Sequence, residues 1–252
     1  IRRLITQINK NERMVSMTNS KDQKDSFKII DTSLSDKATE IIRKMIIKGE
    51  YPLGSRITEA QFAEMLGVSR ACIRETFITL EKEGLINRVT NKYTEICDYT
   101  GNDIMDIYRL RTAIEVMCLD ICLEKGTVPI NDLLVQADKI AKDYSDNNDT
   151  SDMIDWIYDD LSFHEIIVKA SENSRALSVF DRLKNQIKCI LYTSARIKPQ
   201  DFSPVDYSSD SSHMGIINYL KNSDGEGAKK ALANHIMSGV DKIIEIHVSI
   251  KY

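Results

Sequence analysis

Residues 67–86 read GVSRACIRETFITLEKEGLI, and this stretch predicts a turn followed by an amphipathic helix. Gly67 ends one helix, and Ser69 is a favoured N-cap for the next. Three apolar residues recur at helical spacing along it, namely Ile73, Phe77 and Leu80. This spacing predicts that one face of the helix is buried. Gly84 then ends the helix before a strand-like run begins.

Two arginines lie one turn apart in the first half of this helix, away from its apolar face. They are Arg70 and Arg74. A short helix, a tight turn and a second helix with arginines near its start are typical of a helix-turn-helix, whose second helix enters the DNA major groove. Both arginines are candidates for bidentate contacts to guanine. The alternative is a solvated surface that they form with Glu75 and Glu81.

The neighbouring sequence predicts the rest of a winged helix-turn-helix domain over residues 31–99. Residues 35–48 carry an apolar stripe, and TEAQ at 58–61 is a capping box for the helix before the turn. Residues 85–89 and 92–97 predict a hairpin. We expect Thr58 and Ser69 to contact phosphates, which position the protein on DNA. The candidates for wing contacts in the minor groove are Arg88, Asn91 and Lys92.

The composition is that of a globular protein with an uneven charge distribution. The formal net charge is −4, but residues 1–100 hold 17 Lys and Arg against 14 Asp and Glu, a net +3. This split fits a DNA-binding domain joined to a domain of another function, because exposed charges are screened beyond about 10 Å. The five cysteines contain no CxxC pair, which favours reduced thiols in the cytoplasm. Residues 1–30 are interpreted as a flexible N-terminal arm.

From residue 100 to 252 the hydrophobic period is helical throughout. Helices are predicted at about 102–125, 130–145, 151–171, 174–196, 210–222 and 225–249. The fold class is therefore mainly α, with an N-terminal winged helix-turn-helix and a C-terminal, all-helical antiparallel bundle. Six helices in such a bundle leave room for an interior site.

Three histidines and one aspartate fall on the apolar faces of the predicted helices. Asp160 and His164 are one turn apart, and His213 and His235 each lie 11 residues from Asp224, on either side of it. In an antiparallel helix pair that turns at Asp224, the two imidazoles lie at the same height. A carboxylate and three imidazoles suit a divalent transition metal such as zinc or nickel. A lone histidine on an apolar face is more often a core residue, so the prediction rests on the set.

Arg111 is in phase with the apolar residues of its helix, and an inward arginine requires an anion. One interpretation is an i,i+4 ion pair with Glu115. The other is that the guanidinium binds the carboxylate of a small organic acid, which also reaches the metal.

Two long stretches resemble a known family. Residues 46–86, beginning IIKGEYPLGSRITEAQFAEMLGVSR, resemble the DNA-binding domain of the GntR family of bacterial repressors. YRLRTAIE, DLSFHEIIVKASEN and HMGIINYLKNSDGEGAKKALANH resemble the FCD effector domain of its FadR subfamily. The chain departs from the family at residues 71–73, ACI where Thr-Pro-Val is frequent, and at Asn91, where the wing usually has glycine.

The resemblance implies a cytoplasmic, homodimeric regulator of double-stranded operator DNA that responds to a small organic acid. It also implies that the matching residues, Asp160, His164, His213 and His235, are metal ligands. Two alternatives remain open: a metal-dependent helical phosphohydrolase, and a DNA-binding protein whose metal is purely structural. The chain has no HExxH, P-loop, GxSxG or adjacent His-Asp pair, so we expect no enzyme.

Overall fold

The computed structural model describes residues 33–89, 92–145, 152–197 and 212–249. The predicted N-terminal arm at residues 1–30 and the wing-tip residue Asn91 lie outside the described residues. Within the described ranges, the chain is mainly helical with one small sheet, as the sequence predicts. No helix in these ranges is long and apolar enough to cross a membrane.

The N-terminal part is a winged helix-turn-helix. Its elements are α1 (Leu34–Ile47), β1 (Arg56–Ile57), α2 (Glu59–Leu66), α3 (Arg70–Lys82), β2 (Ile86–Val89) and β3 (Tyr93–Ile96). The strands form an antiparallel sheet in the order β1-β3-β2. No sequence pattern predicts β1, because a two-residue strand has no periodicity of its own and exists only through its pairing with β3.

The ends of α2 and α3 follow from local side-chain chemistry. Thr58 and Gln61 form the predicted capping box at the start of α2. Gly67 adopts a left-handed conformation with φ 68°, which a residue with a Cβ adopts only at a cost. The Ser69 hydroxyl then accepts the backbone N–H of Cys72 at 3.2 Å and starts α3. These caps set the sharp turn between the two helices.

Seven helices make up the described C-terminal part. They are α4 (Gly101–Lys125), α5 (Ile130–Ser145), α6 (Asp152–Ala170), α7 (Ser174–Ile197), α8 (His213–Lys221), α9 (Gly225–Met237) and α10 (Val240–Ser249). The prediction of one continuous helix over 225–249 is wrong. Ser238 is extended and Gly239 has φ +80°, so the chain breaks there. After the break, α10 packs against α4 and α7.

Helix α4 is the central element of the bundle, because it contacts α6, α7, α9 and α10. Helix α6 packs between α5, α7 and α4, while α8 and α9 pack against each other. The apolar side chains of both parts of the chain form one continuous buried core. The four predicted metal-ligand positions lie on α6, α8 and α9, all facing this core.

Candidate functional site

The structure brings the side chains of Asp160, His164, His213 and His235 together inside the bundle. One ligand atom from each lies within 4.8 Å of those of the other three. All four residues are buried, with relative exposures between 0% and 9%. A cluster of polar side chains in such a place must be satisfied by one another or by a ligand.

Asp160 lies at the centre of the cluster. Its Oδ1 is 3.2 Å from His213 Nε2 and 3.8 Å from His235 Nε2, and its Oδ2 is 3.9 Å from His164 Nε2. The rings of His213 and His235 are 4.3 Å apart between centroids. The Nε2 atoms of three histidines, one each from α6, α8 and α9, therefore face the Asp160 carboxylate.

The tight turn between α8 and α9 sets the height of His213 against His235. Ser223 has φ 59°, and the Asp224 carboxylate accepts the backbone N–H of Gly227 at 2.8 Å to cap α9. This is the antiparallel turn at Asp224 that the symmetric spacing predicts. His213 is the first residue of α8, whose N-cap is Ser212. The turn and the two caps hold both imidazoles at the same level of the bundle.

Burial and mutual proximity determine the charge state of the cluster. Burial, together with the neighbouring His235, lowers the pKa of His213 to about 4. Burial also lowers the pKa of His164. Burial alone would raise the pKa of Asp160, but the imidazoles of His213 and His235 hold it well below its usual range. At neutral pH the cluster therefore offers the Asp160 carboxylate and the neutral imidazoles of His164 and His213, the forms that bind a metal.

The donor set fits a transition metal. Among the described residues, His164 Nε2 and His213 Nε2 are buried and make no hydrogen bond. Protein nitrogen and oxygen ligands lie about 2.0–2.2 Å from zinc, so two ligands of one ion are at most about 4.4 Å apart. Asp160 Oδ1 lies 3.2 Å from His213 Nε2 and 3.8 Å from His235 Nε2, and no two of the four donor atoms are more than 4.8 Å apart, which is close to this limit. A metal ion would satisfy both buried nitrogens.

Glu115 on α4 belongs to the site, although its spacing in the sequence predicts only an ion pair with Arg111. Its Oε2 lies 2.5 Å from His164 Nδ1, and its Oε1 accepts Arg111 Nε at 2.7 Å. Burial alone would raise the pKa of Glu115, but His164 and Arg111 lower it. The carboxylate accepts the Nδ1 proton and so leaves the Nε2 lone pair of His164 facing the cluster. Glu115 is in phase with the buried residues of α4, and this helical spacing is the sequence feature that could have placed it in the site.

Arg111 makes the ion pair with Glu115, and its Nη2 group remains available as a hydrogen-bond donor. The side chain is 3% exposed, and its Nη2 lies 4.0 Å from Asp160 Oδ2. Nη2 has no hydrogen-bond partner among the described residues. The two interpretations of Arg111 are therefore compatible, since one edge of the guanidinium binds Glu115 and the other points toward the cluster.

The predicted DNA-contact residues lie mostly on the surface of the winged helix. Ser69 and Arg70 are exposed at the start of α3, and Arg74 forms an exposed ion pair with Glu59, 3.2 Å between Nη2 and Oε2. Thr58 is exposed, with its hydroxyl engaged in the cap of α2. On the hairpin, Lys92 is exposed and Arg88 Nη1 lies 3.9 Å from Glu81 Oε2.

Comparison with known proteins identifies both parts of the chain. Residues 34–96 match the model of the "Bacterial regulatory proteins, gntR family", and residues 106–238, more than half of the chain, match that of the FCD domain. The matched relatives are transcriptional regulators rather than enzymes.

Two relatives and one solved structure illustrate the similarity. An HTH-type transcriptional regulator of Bacillus subtilis (strain 168) is 25% identical over 77% of this chain and 84% of its own length. The gluconate operon transcriptional repressor of Bacillus licheniformis is 24% identical over 82% and 84%. The solved structure of Escherichia coli McbR/YncC shares the fold with a TM-score of 0.66 at 17% identity, over 84% of this chain and 98% of that chain. The chain belongs to the GntR family of transcriptional regulators and carries a C-terminal FCD domain.

Proposed function

We propose that this regulator is a homodimeric repressor whose operator binding is controlled by a divalent metal and a small organic acid bound in the FCD domain. The observation that carries the proposal is the convergence of Asp160, His164, His213 and His235 in a buried cluster with unsatisfied nitrogens. Repression is supported by the name of the Bacillus licheniformis relative, a transcriptional repressor.

The winged helix supplies the DNA contacts. Arg70 and Arg74 read base edges from α3, Thr58 and Ser69 bind phosphates, and Arg88, Asn91 and Lys92 place the wing on the minor groove. A two-fold symmetric dimer presents two such domains, so we expect a pseudo-palindromic operator.

Asp160, His164, His213 and His235 would hold the metal, with zinc or nickel as the expected ion. A bound divalent ion supplies a Lewis acid that attracts the carboxylate of an effector. Arg111 Nη2 is the second anchor, because it is buried, cationic and 4.0 Å from Asp160 Oδ2. Arginine binds carboxylates with two parallel hydrogen bonds, which fixes the orientation of the effector as well as its charge.

Effector binding changes repression only if the effector has different affinities for the DNA-binding and released states of the dimer. Gluconate is a reasonable first probe, since the Bacillus licheniformis relative is named for a gluconate operon. Other small hydroxy acids belong in the same panel.

The test combines native mass spectrometry with DNA binding. The purified protein is weighed under native conditions, before and after zinc or nickel is offered, to count subunits and metal ions. We expect a dimer with one metal per chain, and no metal in a His213→Ala, His235→Ala double variant. A chain that stays metal-free after loading overturns the metal part of the proposal.

Gel-shift titrations with a DNA fragment selected by the protein from a random pool then test the response. Release of this fragment by an acid from the panel, with metal present, supports a ligand-responsive repressor. Loss of the fold on chelation, with no response to any acid, would favour a purely structural metal.

A further inference from the structure

The C-terminal end of the recognition helix α3 is held by side chains from the FCD domain. Glu83, the C-cap of α3, receives two hydrogen bonds from Arg43 of α1, Nε to Oε2 at 2.7 Å and Nη2 to Oε1 at 2.6 Å. Asn185 of α7 donates to the same carboxylate at 3.3 Å. The Glu83 side chain therefore joins the first helix, the recognition helix and the FCD domain.

The backbone at this point is held as well. Gln186 of α7 donates to the carbonyl of Glu83 at 2.9 Å, and the hydroxyl of Tyr99, just before α4, donates to the carbonyl of Gly84 at 2.7 Å. Gly84 has φ +73°, and a Cβ there would lie 2.0 Å from Gln186 Nε2. Glycine thus permits both the left-handed turn and the close approach of the glutamine.

The residue next to Asn185 makes a contact on the other side of α7. Lys184 Nζ donates to Glu165 Oε2 of α6 at 2.6 Å, and Glu165 is adjacent to His164. Successive helical residues are separated by about 100°, so residues 184 and 186 point to opposite flanks of α7. Residues 184–186 of α7 therefore contact both α6, which carries two predicted metal ligands, and the end of the recognition helix α3.

We propose that residues 184–186 of α7 couple the metal centre to the recognition helix. This inference rests on the function proposed above. With a metal held by the cluster, Asp160 and His164 would shift toward the histidines of α8 and α9, and α6 would adjust with them. Because packed interiors transmit small shifts rather than absorb them, Lys184 moves with Glu165, and Asn185 and Gln186 move the end of α3. Asn185 and Gln186 are positioning residues, since they act on DNA only through α3.

The test measures hydrogen exchange in the full-length protein with and without zinc. Backbone amides of residues 79–86 report the end of α3. In the parent protein, we expect zinc to slow their exchange by about 5-fold or more, the lower end of typical coupling between two sites. In Gln186→Ala we expect this zinc effect to disappear, while zinc affinity, measured by calorimetry, stays within about 2-fold. If Gln186 had only a structural role, Gln186→Ala would change the exchange of residues 79–86 by the same factor with and without zinc.

Two further variants sharpen the result. Arg182→Ala removes an exposed side chain of the same helix and should keep the full zinc effect. Lys184→Met breaks the contact with α6 and should abolish the zinc effect while leaving the bonds of Gln186 in place. Lys184→Met also carries the test if Gln186→Ala does not fold.

The outcomes separate this inference from the proposed function. If zinc does not bind the parent protein, both are overturned. If zinc binds but leaves the exchange of residues 79–86 unchanged, or if both variants keep the parent's zinc effect, only the coupling through α7 is overturned.

Discussion

Glu115 is the residue through which the buried arginine and the histidine cluster become one network. Its two oxygens bind Arg111 and His164 separately, and the side chain is completely buried. A carboxylate in such a place orients the imidazole and raises its basicity toward a metal. It also offsets the charge of an arginine that water cannot reach.

Glu115→Gln should weaken zinc binding about 10- to 100-fold, the usual effect of removing a carboxylate that orients a ligand histidine. The amide keeps the size of the side chain but not the charge that fixes the Nδ1 proton of His164. Competition with a chromophoric chelator measures the affinity. Glu124→Gln, on an exposed position of the same helix, is the control and should bind zinc like the parent. Equal affinities in the two variants would show that Glu115 does not orient His164.

Arg74→Ala should lose about 1–3 kcal/mol of operator affinity, because a bidentate arginine–guanine contact has roughly that value. The exposed ion pair with Glu59 contributes at most about 1 kcal/mol to folding, so the melting temperature should hardly change. Gel-shift titration at fixed salt measures the affinity. Lys82→Ala, at the far end of α3, is the matched control. Unchanged affinity in Arg74→Ala would remove this residue from the DNA interface.

Cys72 illustrates how a departure from the family pattern is accommodated. The family often has proline at this position, which has no N–H to donate. In this chain the N–H of Cys72 donates to the Ser69 hydroxyl, so α3 gains a capping bond that proline would not make.

At the scale of elements, the break between α9 and α10 decides where the end of the chain packs. The hydrophobic pattern continues through residues 225–249 and by itself predicts one helix. After the break at Ser238 and Gly239, Val240, Ile246 and His247 are buried. A break of this kind depends on contacts with α4 and α7, which local periodicity does not contain.

Gly239→Ala should destabilise the protein by about 1–2 kcal/mol, the cost of a left-handed backbone for a residue with a Cβ. The Cβ itself meets no neighbour within 4 Å, so strain in the backbone is the expected cause. Urea unfolding measures the difference, with Lys242→Ala on the exposed side of α10 as the control. If the alanine variant is as stable as the parent, the left-handed turn is not required for the break.

At the scale of the whole molecule, stability should depend on pH through Lys188 of α7. Burial lowers the pKa of Lys188 to about 8, and its Nζ lies 3.9 Å from the ring centroid of Tyr158. The folded state disfavours the charged amine relative to the unfolded chain. This penalty is fully present below about pH 8 and disappears as pH rises toward the unfolded pKa near 10.5.

Lys188→Met should therefore be more stable than the parent at pH 7, by about 1–2 kcal/mol once partial exposure and the lost cation–π contact are allowed for. The advantage should shrink by pH 10, when the parent's amine is neutral. Urea unfolding at the two pH values measures this, with the exposed Lys221→Met as the control. A stability difference that does not change with pH would contradict the assignment.

Most of the helices, and the turn between α2 and α3, could be predicted from the sequence. Their signals are local: the helical spacing of apolar residues, the capping box at Thr58 and Gln61, and the left-handed glycine at position 67. The inward faces of Asp160, His164, His213 and His235 also follow from spacing, because each is in phase with the buried residues of its own helix. These interactions operate within one or two turns, so the sequence by itself determined them.

Only the tertiary structure decided which inward faces meet. Glu115 binds His164 across two helices 49 residues apart in sequence, and Gln186 reaches the end of α3 across 103 residues. The pairing of β1 with β3 and the break at Gly239 have the same origin. Such contacts depend on how whole helices pack against one another. A local sequence pattern shows which face of a helix is buried, but not which residue of another helix will lie against it.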